Sequence, residues 1–396
     1  MEPYSFDKIA SEANFHERNR PASLARLSDW NTRLCDVSTP LKMYAEAFAR
    51  TLETLTTYPD AEQTKELCEQ IKLALHNRSI AIQDLYLYGS ATQAINMLFF
   101  ALSKHYPRAR FIFLNPGYFS VKTSAEAFGL TQETLYRLSK DRFSIPLDRV
   151  ESVRNKYAND PFGKVCAVMI TEPTYSSGVR QSTESLRNIA SYCSEHGLLL
   201  IIDGAFSGLI WGHEPQWLDA DLLSLLTDEH VVLVDSIAKN LFFLNTKIGV
   251  LYGPPWLIDI ATKGAGQLAG NITALQQQLA LSVFSQSYLE DVRRVCQDNI
   301  ERFKKRFGHL EQLAADTPYR LLRPESGYHT MAVRTDCTIG NADVVTWSRN
   351  LISKGIYPLP GHAFGYSADD NFCFRISLAK QHDDLHFKTV FQQPIR

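Results

Sequence analysis

The sequence has no excess of charge of either sign: over 396 residues, 41 lysines and arginines face 43 aspartates and glutamates, a formal net charge of -2. That excludes the broad basic footprint by which a chain grips nucleic acid or an anionic membrane, and leaves small molecules as the expected partners. Long apolar runs are missing too. None approaches the ~20 residues of a membrane span, and the start, Met1-Glu2-Pro3-Tyr4-Ser5-Phe6-Asp7, lacks the basic-then-apolar order of a secretory signal. A cytoplasmic protein is expected. Cysteine is scarce, odd in number and scattered (Cys35, Cys68, Cys166, Cys193, Cys296, Cys337, Cys373), with no Cys-x-x-Cys and no histidine pair nearby. Such a set reads as reduced packing residues and predicts no metal site.

Apolar residues, by contrast, make up 45% of the chain, enough for a core that divides into two lobes. Residues 1–50 read as an N-terminal arm and the first part of a small domain, with a break at Ser38-Thr39-Pro40. Residues 51–275 read as a large domain, and 276–396 as a long connecting helix and a C-terminal small domain. In the large domain, helices at 62–76, 93–105, 120–129 and 182–196 alternate with strands at 84–88, 110–114, 165–170, 198–202 and 231–234. The alternation predicts an α/β fold, a mostly parallel central sheet flanked by helices. A helix over 273–306, strands at 328–333 and 372–378, and a helix at 342–354 predict a smaller α+β domain.

Ligands of such sheets bind beyond the carboxyl ends of the strands. The apolar strand at 231–234 empties into Asp235-Ser236-Ile237-Ala238-Lys239. A lysine in a dry pocket there can lose its proton and attack an aldehyde; a surface lysine is the plainer alternative. Gly89-Ser90-Ala91-Thr92 opens a helix whose free N–H groups suit a phosphate, or is an ordinary N-cap. Tyr118, after Asn115-Pro116-Gly117, offers a stacking face or simple packing. Asp203 ends a very apolar strand and needs a cationic partner, either a protonated pyridine nitrogen or an arginine. Arg375, within Phe372-Cys373-Phe374-Arg375-Ile376-Ser377-Leu378, needs an anion, either a substrate carboxylate or a structural partner.

Taken in order, these residues resemble the class I/II aminotransferase family, fold type I enzymes dependent on pyridoxal 5'-phosphate. The resemblance runs from Tyr58-Pro59-Asp60 through Gly89-Ser90-Ala91-Thr92, Asn115-Pro116-Gly117-Tyr118 and Glu172-Pro173-Thr174-Tyr175-Ser176-Ser177-Gly178 to Asp203. It continues in Ser236-Ile237-Ala238-Lys239, Lys247-Ile248-Gly249, Pro360-Gly361-His362-Ala363-Phe364-Gly365 and Arg375. It implies that Lys239 holds the cofactor as a Schiff base and then moves the Cα proton of an α-amino acid. It places Asp203 on the pyridinium nitrogen, Tyr118 on the ring face, and Ser90, Ala91, Thr92, Ser236 and Lys247 on the phosphate. Arg375 would take the substrate carboxylate. Tyr58 would reach the phosphate of the other subunit, in a homodimer with its sites at the interface.

Three positions depart from the family's pattern. Tyr175 replaces an asparagine and Phe206 a tyrosine, both donors to the cofactor's ring oxygen, and Lys247 replaces an arginine. Transamination with a 2-oxo acid is the expected reaction. The departures raise elimination, replacement, cyclisation or oxidation of an amino acid as the alternative, and a non-catalytic regulator is a third reading. The substrate side chain would meet the N-terminal arm and residues such as His16, Glu17, Arg18 and His362.

Overall fold

The computed structural model describes residues 25–28, 35–54, 56–161, 163–212, 219–242, 244–268, 270–380 and 383–395. His16, Glu17 and Arg18 lie outside them. In chain order the strands are β1 (Ala25–Arg26), β2 (Asp84–Tyr88), β3 (Arg110–Asn115), β4 (Thr131–Tyr136), β5 (Val165–Thr171) and β6 (Leu199–Asp203). They continue with β7 (Val231–Asp235), β8 (Gly249–Gly253), β9 (Tyr319–Leu321), β10 (His329–Thr338), β11 (Ile356–Tyr357) and β12 (Asn371–Ser377).

Seven of these form one sheet in the order β2-β8-β7-β6-β5-β3-β4. The strands from β7 across to β4 pair in parallel, whereas β8 is antiparallel to both β7 and β2. β5, β6 and β7 are buried along their whole length, as expected of Val, Ile and Leu runs in a sheet covered on both faces. The helix Ala91–His105 leaves the end of β2 with Ser90 as its N-cap, and the helix Thr183–Glu195 leads into β6. A separate antiparallel sheet, β12-β10-β9, carries the C-terminal elements. Trp347, on the helix Val344–Ser353, seats on Phe372 and Phe374 at ring distances of 4.9 and 5.5 Å. Arg375 therefore points from the other face of β12, because successive side chains alternate. All seven cysteines are free and six are buried.

The α/β architecture is thus the expected one, but the long helix is not. Instead of one helix over 273–306, there are two, Ala274–Phe284 and Leu289–Ala314, separated by a short turn at Gln286–Tyr288. Ser285 adopts an extended ψ of 147°, and its hydroxyl donates to Ser282 O at 2.9 Å. This local side-chain bond competes with helical continuation.

The two sheets are stitched together by backbone. Glu325 N and Ser326 N donate to Gly178 O at 2.8 and 3.0 Å, and Gly117 N donates to Phe364 O at 3.2 Å. Gly178 has φ +70°, and a Cβ there would lie 2.4 Å from Ser326 O, so the seam requires glycine.

Candidate active site

β2, β3, β5, β6 and β7 end at one edge of the large sheet, and the residues that follow them converge there. Ala91, Thr92, Tyr118, Tyr175, Asp203, Phe206 and Lys239 line one cleft, and Arg375 lines a second beside Tyr328 and His329. The two clefts share Pro173, Tyr175 and Phe206 as their common wall. Seven residues singled out from the sequence thus meet in one place.

Lys239 sits on the short helix Ile237–Asn240 immediately after β7. Its Nζ lies 4.4 Å from the Phe206 ring centroid and 6.0 Å from that of Tyr118. By accessible surface the residue is only partly buried, yet its amine is well desolvated. Burial lowers its pKa from 10.5 to about 8, opposed by Asp203 and reinforced by Arg375. Asp203, buried at the end of β6, is raised by burial, while Lys239 and the Ala205 N–H, which donates to Oδ1 at 3.2 Å, pull it down. The short helix is itself anchored. Asp235 Oδ1 accepts from Ser236 N at 2.6 Å and from Asn240 Nδ2 at 3.1 Å, and burial raises the Asp235 carboxyl to about 7.

The lysine shift has a measurable consequence in the cofactor-free protein. Between about pH 8 and 10.5 the unfolded chain holds the Lys239 proton while the folded chain has released it. Stability from this group therefore rises with pH through that window and is lowest below it. Wild type is expected to be less stable than Lys239→Met at pH 7, and the gap in urea midpoints should close toward pH 10. A gap independent of pH would show that the amine is not desolvated.

The phosphate-type turn is built by two strands. Ser90 Oγ accepts from Gln93 N at 3.0 Å, which satisfies one N–H of the first helical turn and leaves others for an anion. Gly249, at the start of the antiparallel β8, lies opposite Tyr88. A Cβ at Gly249 would come within 2.3 Å of Ser90 C and 2.4 Å of Ala91 N. Gln276 Nε2 donates to Thr246 O at 2.9 Å and Lys247 O at 2.7 Å, fixing the loop before β8. Gly249→Ala is expected to push the turn out of place, costing about 1–3 kcal/mol of stability and weakening phosphate-bearing ligands more than others. Urea denaturation and ligand titration check it.

The remaining candidates sit differently. Thr92 Oγ1 and Tyr118 OH are hydrogen-bonded at 3.2 Å. Ser236 is buried at the base of the lysine helix, and Lys247 is exposed with φ +50°. Tyr58 is 99% exposed and outside the cleft of its own chain. His362 lines neither cleft. Tyr175 is buried, its ring 6.1 Å from Tyr118 and 5.7 Å from Phe364, and its hydroxyl is raised by burial, with the Arg375 charge the largest opposing influence. Arg375 is fully buried, its Nε donating to Ser28 Oγ at 2.6 Å and its Cζ 4.5 Å from the Phe364 ring centroid. Sequence reading missed the bond between Asp235 and Asn240, five positions apart, which meet only because the chain turns between them. It also missed Arg137, and the complete burial of Glu172, which it quoted only as the start of the Glu172-Pro173 segment.

Comparison with known proteins gives a family match over residues 31–386, described as aminotransferase class I and II. The aspartate aminotransferase of Bacillus subtilis (strain 168) is 23% identical over 221 residues, 54% of this chain and 54% of that protein. The 1-aminocyclopropane-1-carboxylate synthase 6 of Oryza sativa subsp. japonica is 25% identical over 175 residues, 43% of this chain and 31% of that protein. The chain spans about half the length of the curated aspartate aminotransferases it matches. A solved mutant of Thermus thermophilus aspartate aminotransferase superposes with a TM-score of 0.81 at 20% identity, covering 99% of this chain and 96% of that one. At that identity the likeness establishes the fold.

Proposed function

We propose, from the premise that this chain belongs to the aminotransferase class I and II family matched over residues 31–386, that it transfers the amino group of an α-amino acid to a 2-oxo acid. The observation that carries this is the meeting of Lys239, Asp203 and Tyr118 in one cleft whose wall adjoins the Arg375 cleft. The family's cofactor, pyridoxal 5'-phosphate, fits these residues on their own chemistry. A buried carboxylate suits a pyridinium nitrogen, an amine near pKa 8 suits an aldehyde, and the turn that a Cβ at Gly249 would block suits a phosphate.

When bound, the cofactor supplies an electron sink that acidifies the Cα–H of the amino acid. Asp203 would keep a negative charge beside the ring nitrogen, and Ser90, Ala91, Thr92, Ser236 and Lys247 would hold the phosphate. Tyr118 would cover the ring. Arg375 grips the substrate carboxylate with two parallel N–H donors, which fixes where the Cα–H points. Lys239, with its amine titrating near pH 8, takes that proton and returns it. Phe206 and Tyr175, aromatic and packed between the clefts, exclude water from the transfer.

The same reading makes the enzyme a cytoplasmic homodimer in which Tyr58 reaches the partner's phosphate, with residues 51–275 as the cofactor domain and 276–396 completing the small domain. The support for the shared site is the 99% exposure of Tyr58 outside the cleft of its own chain. The test is a panel of amino acids incubated with cofactor-loaded protein, with and without a 2-oxo acid. Amino-group transfer to the acceptor, matched one-to-one by a new 2-oxo acid, is expected. Ammonia release or oxygen uptake without an acceptor, and no transfer with one, would overturn transamination in favour of elimination or oxidation.

A further inference from the structure

Arg137 follows β4 and is 1% exposed, one of the largest side chains buried completely. A lone guanidinium in that position is costly unless its donors are met. Its two Nη groups are met from two different loops, while Nε has no hydrogen-bond partner among the described residues. Nη2 donates to Pro116 O and to Thr171 O, both at 3.3 Å, and Nη1 lies 3.4 Å from Thr174 Oγ1. Its own N–H donates to Asn115 O at 2.8 Å. Pro116 stands two residues before Tyr118, and Thr171 and Thr174 bracket the approach to Tyr175. Glu172, also fully buried, opposes the desolvation of Arg137, although burial pushes its own carboxyl up to about 8; its Oε1 accepts from Gln181 N at 3.0 Å. Tyr366 OH donates to Tyr175 O at 3.2 Å on the other side of the same loop.

From this geometry we infer that Arg137 is a positioning residue that sets the separation of Tyr118 and Tyr175 and thereby the orientation of the ring held between Asp203 and Lys239. It touches neither lysine nor aspartate. It acts through two loops whose only shared side-chain anchor among the bonds described is its guanidinium, and a planar fork can hold two carbonyls in a fixed relation where a flexible ammonium cannot. The inference rests on the pyridoxal 5'-phosphate reading above and deepens it.

The test compares Arg137→Lys, Arg137→Met and the double variant Arg137→Met/Glu172→Gln, the last leaving no unpaired charge in the interior. Each is loaded with pyridoxal 5'-phosphate, and three quantities are read: the pH midpoint of the cofactor's visible absorbance, kcat and KM for an amino acid substrate, and the thermal midpoint. In the double variant the absorbance midpoint is expected to move and kcat to fall on the order of 10- to 100-fold, the scale of an ångström-sized misplacement, with a smaller change in KM. Arg137→Lys is expected to recover part of the loss. Variants that lose only thermal stability while keeping the absorbance midpoint and kcat would overturn the inference, as would failure of all three to give folded protein, since either result makes the role purely structural. A wild-type protein that shows no visible band with the cofactor would instead defeat the parent reading.

Discussion

Lys239→Ala should give a protein that folds, keeps affinity for pyridoxal 5'-phosphate through its phosphate turn, and does no chemistry. After borohydride reduction, digestion of the wild-type holoenzyme should yield a peptide containing Lys239 with an added pyridoxyl mass, and the variant should yield none. Turnover should fall by at least ~10²–10⁴, the range lost with a positioned acid-base group alone, and further because the covalent attachment goes with it. Stability should not suffer. The amine is held against the rings of Phe206 and Tyr118 with its charged form disfavoured by burial, so deleting it removes a desolvation cost as well as a contact with Asp203. A pyridoxyl mass on another lysine, or retained turnover, would sink the assignment.

Arg375→Leu is expected to have the second largest effect, and it should be selective. Truncating one member of a buried, hydrogen-bonded charge pair costs ~2–5 kcal/mol, roughly 30- to 4,000-fold in kcat/KM. Amino acids should bear that loss, chiefly through KM, while primary amines lacking the carboxylate should react no worse than with wild type. Equal losses for both substrate types would mean that the variant has damaged the β12 edge, where Arg375 also bonds Ser28 and lies over Phe364, and that the carboxylate assignment is wrong. Arg375→Lys should remain impaired, because one ammonium cannot reproduce two parallel donors.

The parts of the site legible in the sequence were those fixed by strand ends. Asp203, Lys239 and Tyr118 each follow an apolar run, and the end of a parallel strand is both recognisable and the place where ligands gather. The direction of β8 was not legible, because the side-chain period of a strand is the same whichever way it runs. Nor was the break at Ser285. The apolar spacing continues across it, and the helix is interrupted by a serine hydroxyl whose preference is settled locally. The burial of Arg137 and Glu172 was hidden for a third reason. Each lies among loop residues that look solvent-facing in one dimension, and their burial follows from loops after β3 and β5 folding over the same spot. For Tyr175 and Phe206, the residue identities flagged a departure, but only their common wall between two clefts shows that both now serve as packing surfaces against the lysine and the arginine pockets.

The close approach of Gly249 to Ser90 also bears on the order of events during synthesis. The turn Gly89-Ser90-Ala91-Thr92 is made early, but the strand that walls it leaves the ribosome about 160 residues later, a delay on the order of ten seconds at typical elongation rates. Throughout that interval β2 has no neighbour, because β8 alone separates it from the rest of the large sheet. The nascent chain thus carries an unpaired strand edge beside an unfinished anion turn. The anion turn is consequently completed only once β8 has emerged, more than half-way through synthesis.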